Sequence, residues 1–244
     1  MTIAERLDQL IKSKSQADQF SGVVLVKQHE DELFKAAYGY ANRTWNIENR
    51  LDTRFRIASI SKMFTAVAVL QLIEAGELSL DTTVADCLDL ENTTIPKGAT
   101  VHHMLTMTSG IADWFEESGD WEENWAALCR EHPIYLFRRN QDYLPLFKDK
   151  PPLFPVGDKH QYNGAGYILL GLMIERISGL SYFDYVRRHI FDRAEMTRSD
   201  FLSLDSVHKE VAEGYIPLTD KEDKVTGWKK NIYSTTPEAA ADGG

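Results

Sequence analysis

From Met63 to Ile73 the chain carries Met63, Phe64, Val67, Ala68, Val69, Leu70, Leu72 and Ile73, apolar on nearly every side of a helix. Such a helix has no polar face to give to solvent, so it predicts a central element that the rest of the chain must cover. It runs to Glu74 or Ala75, and Gly76 is its expected C-terminal cap. Covering it takes a large core. With 244 residues, 43% of them hydrophobic, the chain suits one large domain or two intimately packed ones.

The mouth of this helix holds the chemistry. In Arg56-Ile57-Ala58-Ser59-Ile60-Ser61-Lys62-Met63, Ser59 and Lys62 stand three residues apart, on one helical face. A serine hydroxyl is a weak nucleophile at neutral pH and needs a base within hydrogen-bond reach. A lysine serves if burial and neighbouring charge pull its pKa down. The helix N-terminus adds backbone N–H groups that favour a developing oxyanion. Ser-x-x-Lys alone is loose: roughly one chance match is expected in a chain this long. Ser206-Val207-His208-Lys209 is a second match, in a polar stretch with no apolar helix behind it, and reads as surface.

The net charge of -10, with no basic block, argues against nucleic acid and against anionic membrane surfaces. Two cysteines, Cys87 and Cys129, make no disulfide framework. No apolar run has the length of a membrane span. The first twenty residues are polar and amphipathic, with Ile3, Leu7, Leu10 and Ile11 on one face and no apolar signal-peptide core. As written, the expected compartment is the cytoplasm, or outside it if an export signal has been removed. His102-His103 lacks a His-Glu-x-x-His context and reads as a helix-surface pair, so neither metal nor cofactor is expected.

In chain order, Gly22–Lys27 and Glu32–Gly39 predict a hairpin whose strands are apolar enough to be covered by helices. Residues 40–55 are a polar connection. Residues 100–107 predict a short helix closed by the turn Thr108-Ser109-Gly110. Residues 113–154 are rich in Trp, Tyr and Phe, read first as core and packing surface, with an aromatic rim around a cleft as the alternative. Residues 151–157 form a loop. Tyr162-Asn163-Gly164-Ala165-Gly166-Tyr167 then opens a second apolar helix, ended by Gly179. Ser181 caps a further helix to His189. Beyond Phe201 the sequence is mixed and polar; Val225-Thr226-Gly227 reads as a loop, and the stretch from Ala239 as a poor terminus for a packed domain.

Three segments together carry a family resemblance: Phe55-Arg56-Ile57-Ala58-Ser59-Ile60-Ser61-Lys62, Leu105-Thr106-Met107-Thr108-Ser109-Gly110-Ile111, and Tyr162 to Gly171. In order and spacing the chain resembles the serine β-lactamase and penicillin-binding-protein superfamily, most closely the branch of class C β-lactamases, D-Ala-D-Ala carboxypeptidases and related esterases. The resemblance implies an α/β (α+β) fold, a helical region packed on an antiparallel sheet. Residues 1–55 would be the N-terminal helix and hairpin of the α/β part. Residues 56–200 would be the mainly helical part carrying both motifs, and 201–244 the start of a return to the α/β part that stops short. It further implies that Ser59 is acylated, that Lys62 and Tyr162 share its proton, and that Ser109, Asn163 and Gly164 lie along the substrate. The family's Tyr-x-Asn motif has Gly164 where its asparagine belongs, unless Asn163 takes that place. Its third motif, Lys-Thr-Gly or His-x-Gly, has only a weak echo in Val225-Thr226-Gly227. A sheet left incomplete in this way would expose an edge and invite self-association. The expected activity is a serine hydrolase acting through a Ser59 acyl-enzyme on a small ester, a D-amino-acid peptide or a β-lactam. The alternative is an impaired penicillin-binding-like module that binds, or is slowly acylated, without turnover.

Overall fold

A computed structural model of the chain describes residues 1–243. It divides into two compact units: residues 1–55 with 207–231, and residues 56–206 with the stretch from Ile232 onward.

The first unit begins with α1 (Ile3–Gln16). Thr2 and Glu5 cap it reciprocally: the Thr2 hydroxyl accepts from the Glu5 N–H at 3.2 Å, and the Glu5 carboxylate accepts from the Thr2 N–H at 2.8 Å. Strands β1 (Gly22–Gln28) and β2 (Asp31–Tyr38) form the expected antiparallel hairpin, in register from Gly22 opposite Tyr38 to Gln28 opposite Asp31. The Tyr38 hydroxyl donates to Asp8 of α1 at 2.7 Å; burial and that carboxylate push its pKa up to about 12. The hairpin is covered less than its sequence predicts: Gly22 is its one buried residue. Short strands β3 (Tyr40–Asn42) and β4 (Ile47–Glu48) pair next.

The polar region beyond Phe201 yields a third hairpin, β5 (Tyr215–Thr219) with β6 (Val225–Lys230). Val225-Thr226-Gly227, read from sequence as a loop, is therefore strand. Leu218 pairs with Gly227, and the Thr226 hydroxyl donates to the Leu218 carbonyl at 3.1 Å. The pairing is anchored by side chains that composition does not flag. The Arg43 guanidinium lies 3.6 Å from the centre of the Trp228 ring, and the Tyr215 hydroxyl accepts from the Arg43 N–H at 2.9 Å.

The second unit holds α2 (Lys62–Glu74), α3 (Val84–Cys87), α4 (Val101–Leu105), α5 (Trp121–Glu131), α6 (Gly164–Ser178) and α7 (Tyr182–Val186). Side-chain caps start them where the sequence offers hydroxyls or short polar groups, as at Thr83, Thr100, Asn163 and Ser181. The most enclosed helix is α6, buried without a break from Gly164 to Ile174. The α2 helix, predicted to be covered all round, buries Phe64, Thr65, Ala68, Val69 and Leu72 on one side, while Met63 (53% exposed) and Leu70 (52%) face outward. Apolar composition states a preference for burial; the described residues supply neighbours on one side only. No described helix is long and apolar enough to cross a membrane.

The stretch from Ala239, read as a poor terminus, is packed. Ala240, Ala241 and Asp242 are buried. A Cβ on Gly171 of α6 would lie 2.5 Å from the Ala241 Cβ and 2.7 Å from Asn140 Nδ2, so this backbone lies directly on the helix. The Ala241 N–H donates to Asn140 Oδ1 at 2.8 Å, and the Thr65 hydroxyl donates to the Ala241 carbonyl at 2.6 Å. Tyr182 closes the chain by donating to Thr65 at 2.7 Å.

Candidate active site

Ser59 lies in a 3-10 turn, Ala58–Ser61, that leads into α2. Ala58, just before it, has φ of +47°, a left-handed conformation that a residue with a Cβ adopts only under constraint. Lys62 is the first residue of α2 and is buried. Tyr162 stands immediately before the Asn163 cap of α6, so the two helix mouths bring the three side chains together. Ser59 Oγ and Tyr162 Oη are 2.6 Å apart, and Lys62 Nζ donates to Tyr162 Oη at 2.7 Å and to Ser59 Oγ at 3.2 Å. Lys62 also donates to the Asp242 carbonyl. An ammonium has three donors; here each has an acceptor, so the charged amine is held in one orientation.

The hydrogen bonds of the other sequence-predicted residues go to the surrounding scaffold. Asn163 is committed to structure: its Oδ1 accepts from the Gly166 N–H at 2.7 Å and its Nδ2 donates to the Ile111 carbonyl at 2.9 Å. It joins the start of α6 to the loop after α4. Ser109 is buried in that loop, its Oγ accepting weakly from the Ile111 N–H at 3.4 Å. The neighbouring Gly110 has φ of +69° and lies against the Phe154 carbonyl, too close for any side chain. Gly164 opens α6, its N–H bound to Asp113 Oδ2 at 2.7 Å. Of the two adjacent histidines, His103 is tied to the Thr100 cap, with Nδ1 2.8 Å from its hydroxyl. The second Ser-x-x-Lys match lies in a turn where Val207 is fully exposed.

Sequence reasoning missed Asp113, Trp114 and Asp242. The Asp113 carboxylate accepts N–H groups of Gly164 (2.7 Å), Ala165 (2.9 Å) and Trp114 (2.8 Å), an acid set on the positive end of α6. Burial nevertheless leaves its pKa raised. The Trp114 indole N–H donates to Asp242 Oδ2 at 2.8 Å. Burial pushes Asp242 up to about 6, against the pull of Lys62 and Trp114 and with a further push from Asp113. For Asp113 there was a signal, an acid a few residues past a helix-closing turn and rich in aromatic neighbours. For Asp242 there was none, because it meets the site across 180 residues of chain.

A hydroxyl, a phenol and a buried ammonium within 3.2 Å of one another can move a proton off serine and return it to a leaving group. A family model described as Beta-lactamase matches residues 7–241. The chain belongs to the beta-lactamase family. Within this family of serine hydrolases it is 31% identical over 198 residues to Penicillin-binding protein 4* of Bacillus subtilis (strain 168), covering 80% of this chain and 41% of that protein. To Esterase EstB of Burkholderia gladioli it is 31% identical over 183 residues, covering 73% and 46%. To the D-aminopeptidase of Brucella anthropi it is 27% identical over 207 residues, covering 82% and 38%. The chain thus spans less than half the length of these curated relatives. The penicillin binding protein of Bacillus halodurans superposes with a TM-score of 0.85 at 42% identity, covering 97% of this chain and 68% of that one. A class C beta-lactamase at 21% identity shares the fold, with a TM-score of 0.67 over 97% of this chain and 60% of that one. The architecture is therefore the mixed helical and antiparallel one of the β-lactamase/transpeptidase type.

Proposed function

We propose that the chain is the acyl-transferring part of a serine hydrolase, with Ser59 as nucleophile and a small ester or D-amino-acid peptide as substrate, ahead of a β-lactam. The observation that carries this reading is the contact of Ser59 Oγ with Tyr162 Oη at 2.6 Å, backed by Lys62 on both oxygens. The reacting form in this scheme carries Tyr162 as phenolate, with Lys62 Nζ placed against its oxygen and against Ser59 Oγ. The phenolate takes the Ser59 proton as Oγ attacks the substrate carbonyl carbon, and the Ser59 backbone N–H at the mouth of α2 supplies one donor to the oxyanion. Tyr162 then returns the proton to the departing alcohol or amine. Water enters, gives its proton to Tyr162, and releases the acid as Ser59 is reprotonated. The names of EstB and the D-aminopeptidase support these substrate classes.

A second reading rests on Gly164, which has no side chain to hold a substrate amide: a site that is acylated slowly and does not turn over. Intact mass after exposure to a fluorophosphonate and, separately, to a penicillin decides between them. One adduct on wild type, absent from Ser59→Ala, supports the proposed nucleophile. Loss of the penicillin adduct within minutes indicates turnover, and its persistence the second reading. No adduct with either reagent refutes both.

A further inference from the structure

At position 164 the resemblance calls for an asparagine, and the structure shows what stands in its place. A Cβ built on Gly164 would lie 2.6 Å from Asp242 Oδ2, 2.9 Å from Trp114 Nε1 and 3.3 Å from Asp113 Oδ1. The volume that a side chain at 164 would enter is thus filled by the carboxylate of Asp242, fixed there by Trp114 at 2.8 Å. The same residue accepts the Lys62 ammonium on its backbone carbonyl. We propose that Gly164 and Asp242 form a coupled pair in which the Asp242 carboxylate replaces the asparagine side chain, making Asp242 a positioning residue for Lys62 and steering the site away from substrates that need an amide donor at that point.

The argument rests on the acyl-enzyme reading above and on simple chemistry. An asparagine offers two N–H donors and is neutral; an ionised carboxylate accepts only and is negative. The exchange therefore removes a grip on a substrate's amide carbonyl. In return it gives the buried ammonium of Lys62 a counter-charge in a low-dielectric setting, where such an interaction is felt most. An ester presents no amide to be held, so it loses least by the exchange.

The charge of Asp242 is felt by groups from every side. Lys62 of α2 favours its ionised form, and Asp113, ahead of α5, opposes it. Tyr143 and Tyr182 lie within its field, and their own phenols are raised first by burial and then by this carboxylate.

A swap tests the pairing. Gly164→Asn alone drives a side chain into Asp242 and is expected to slow fluorophosphonate labelling of Ser59 at least about tenfold, the scale of coupling between contacting residues. Gly164→Asn combined with Asp242→Gly is expected to return to within about threefold of wild type. It should also raise penicillin acylation about tenfold relative to hydrolysis of a small ester. Simple addition of the two single losses would overturn the pairing. Asp242→Asn, nearly the same shape, guards against a swap that does not fold. In wild type the labelling rate should fall as pH drops through about 6, where Asp242 loses its charge. In Asp242→Asn that acid limb should vanish. An unchanged limb would assign it to another group, Asp113 foremost, and end the positioning role. If wild type is not labelled at any pH, it is the acyl-enzyme reading that has failed. The pairing is then judged from urea midpoints of the same variants, where non-additivity supports it and additivity overturns it.

Discussion

Asp242→Asn should make the protein more stable at neutral pH, although it removes a group at the heart of the site. The carboxyl titrates ordinarily near 3.8 and in the fold near 6, chiefly because it is buried. At ~1.36 kcal/mol per pH unit, keeping it ionised in the fold costs about 3 kcal/mol relative to the unfolded chain. The sign follows from proton binding. Between pH 4 and 6 the folded state holds a proton at this position that the unfolded state has released. This group's contribution to stability is therefore greatest below about pH 4, falls as pH rises to about 6, and is flat above. The exposed, hydrogen-bonded acids act in the opposite sense: Asp205, held down to about 2 by Arg138 and Ser203, disfavours the fold only as acid protonates it. Comparing variant with wild type at each pH cancels those groups. Urea denaturation followed by far-ultraviolet circular dichroism at pH 4.0 and 7.5 is the assay. The stability of Asp242→Asn relative to wild type should improve by about 2–3 kcal/mol between the two pH values. A difference that stays constant within about 0.5 kcal/mol would show that the buried carboxyl is not perturbed, and the charge argument built on it would fall with it.

Other perturbations separate chemistry from scaffold. Tyr162→Phe removes an oxygen 2.6 Å from Ser59 and 2.7 Å from Lys62 on a side chain that is 40% exposed. Labelling of Ser59 should slow by about 10²–10⁴ with little change in the urea midpoint, and equal labelling would exclude Tyr162 from proton transfer. Gly110→Ala places a Cβ on the Phe154 carbonyl at a φ of +69°, and should lower stability by roughly 2–4 kcal/mol in chemical denaturation. Thr65→Val strands the Ala241 carbonyl and the Tyr182 hydroxyl in a buried place. A loss of about 1–3 kcal/mol is expected, together with slower labelling, because the Ala241–Asp242 backbone also holds Lys62.

What could be read from sequence was local. Apolar period and capping residues were enough to place α1, the first hairpin, α4 and α6, because each is decided by neighbours within a few positions. The Ser59–Lys62 contact was legible for the same reason: three residues along a helical turn fix it. Tyr162 became legible only through the resemblance, since nothing in its own surroundings names its partner a hundred residues away. Composition misled where neighbours decide the outcome. The α2 helix is apolar all round yet buried on one side, and β6 is polar yet paired, because Arg43 and Trp228 meet across the unit. The last described stretch, Ala240 to Gly243, looked like loose chain for want of any large apolar residue. A close backbone approach is what the fold uses there: a Cβ on Gly171 would lie only 2.5 Å from the Ala241 Cβ, and Gly243 comes within ordinary contact distance of Ser59.

That fit joins stability to chemistry. Lys62 is aimed by three acceptors, two of them the hydroxyls of Ser59 and Tyr162 and the third a backbone carbonyl from a segment contributed by distant sequence. The segment in turn is held by Asn140, Thr65 and the glycine face of α6. A lysine freed from that carbonyl would regain its rotamers, at up to about 2 kcal/mol of side-chain entropy, and would spend much of its time off Tyr162 and Ser59. The positive φ at Ala58 is a second constrained point of backbone, immediately before Ser59 and the start of α2. Ser59 and Lys62 are therefore flanked by constrained backbone on both sides. Variants that relax either side should lose labelling rate faster than they lose fold.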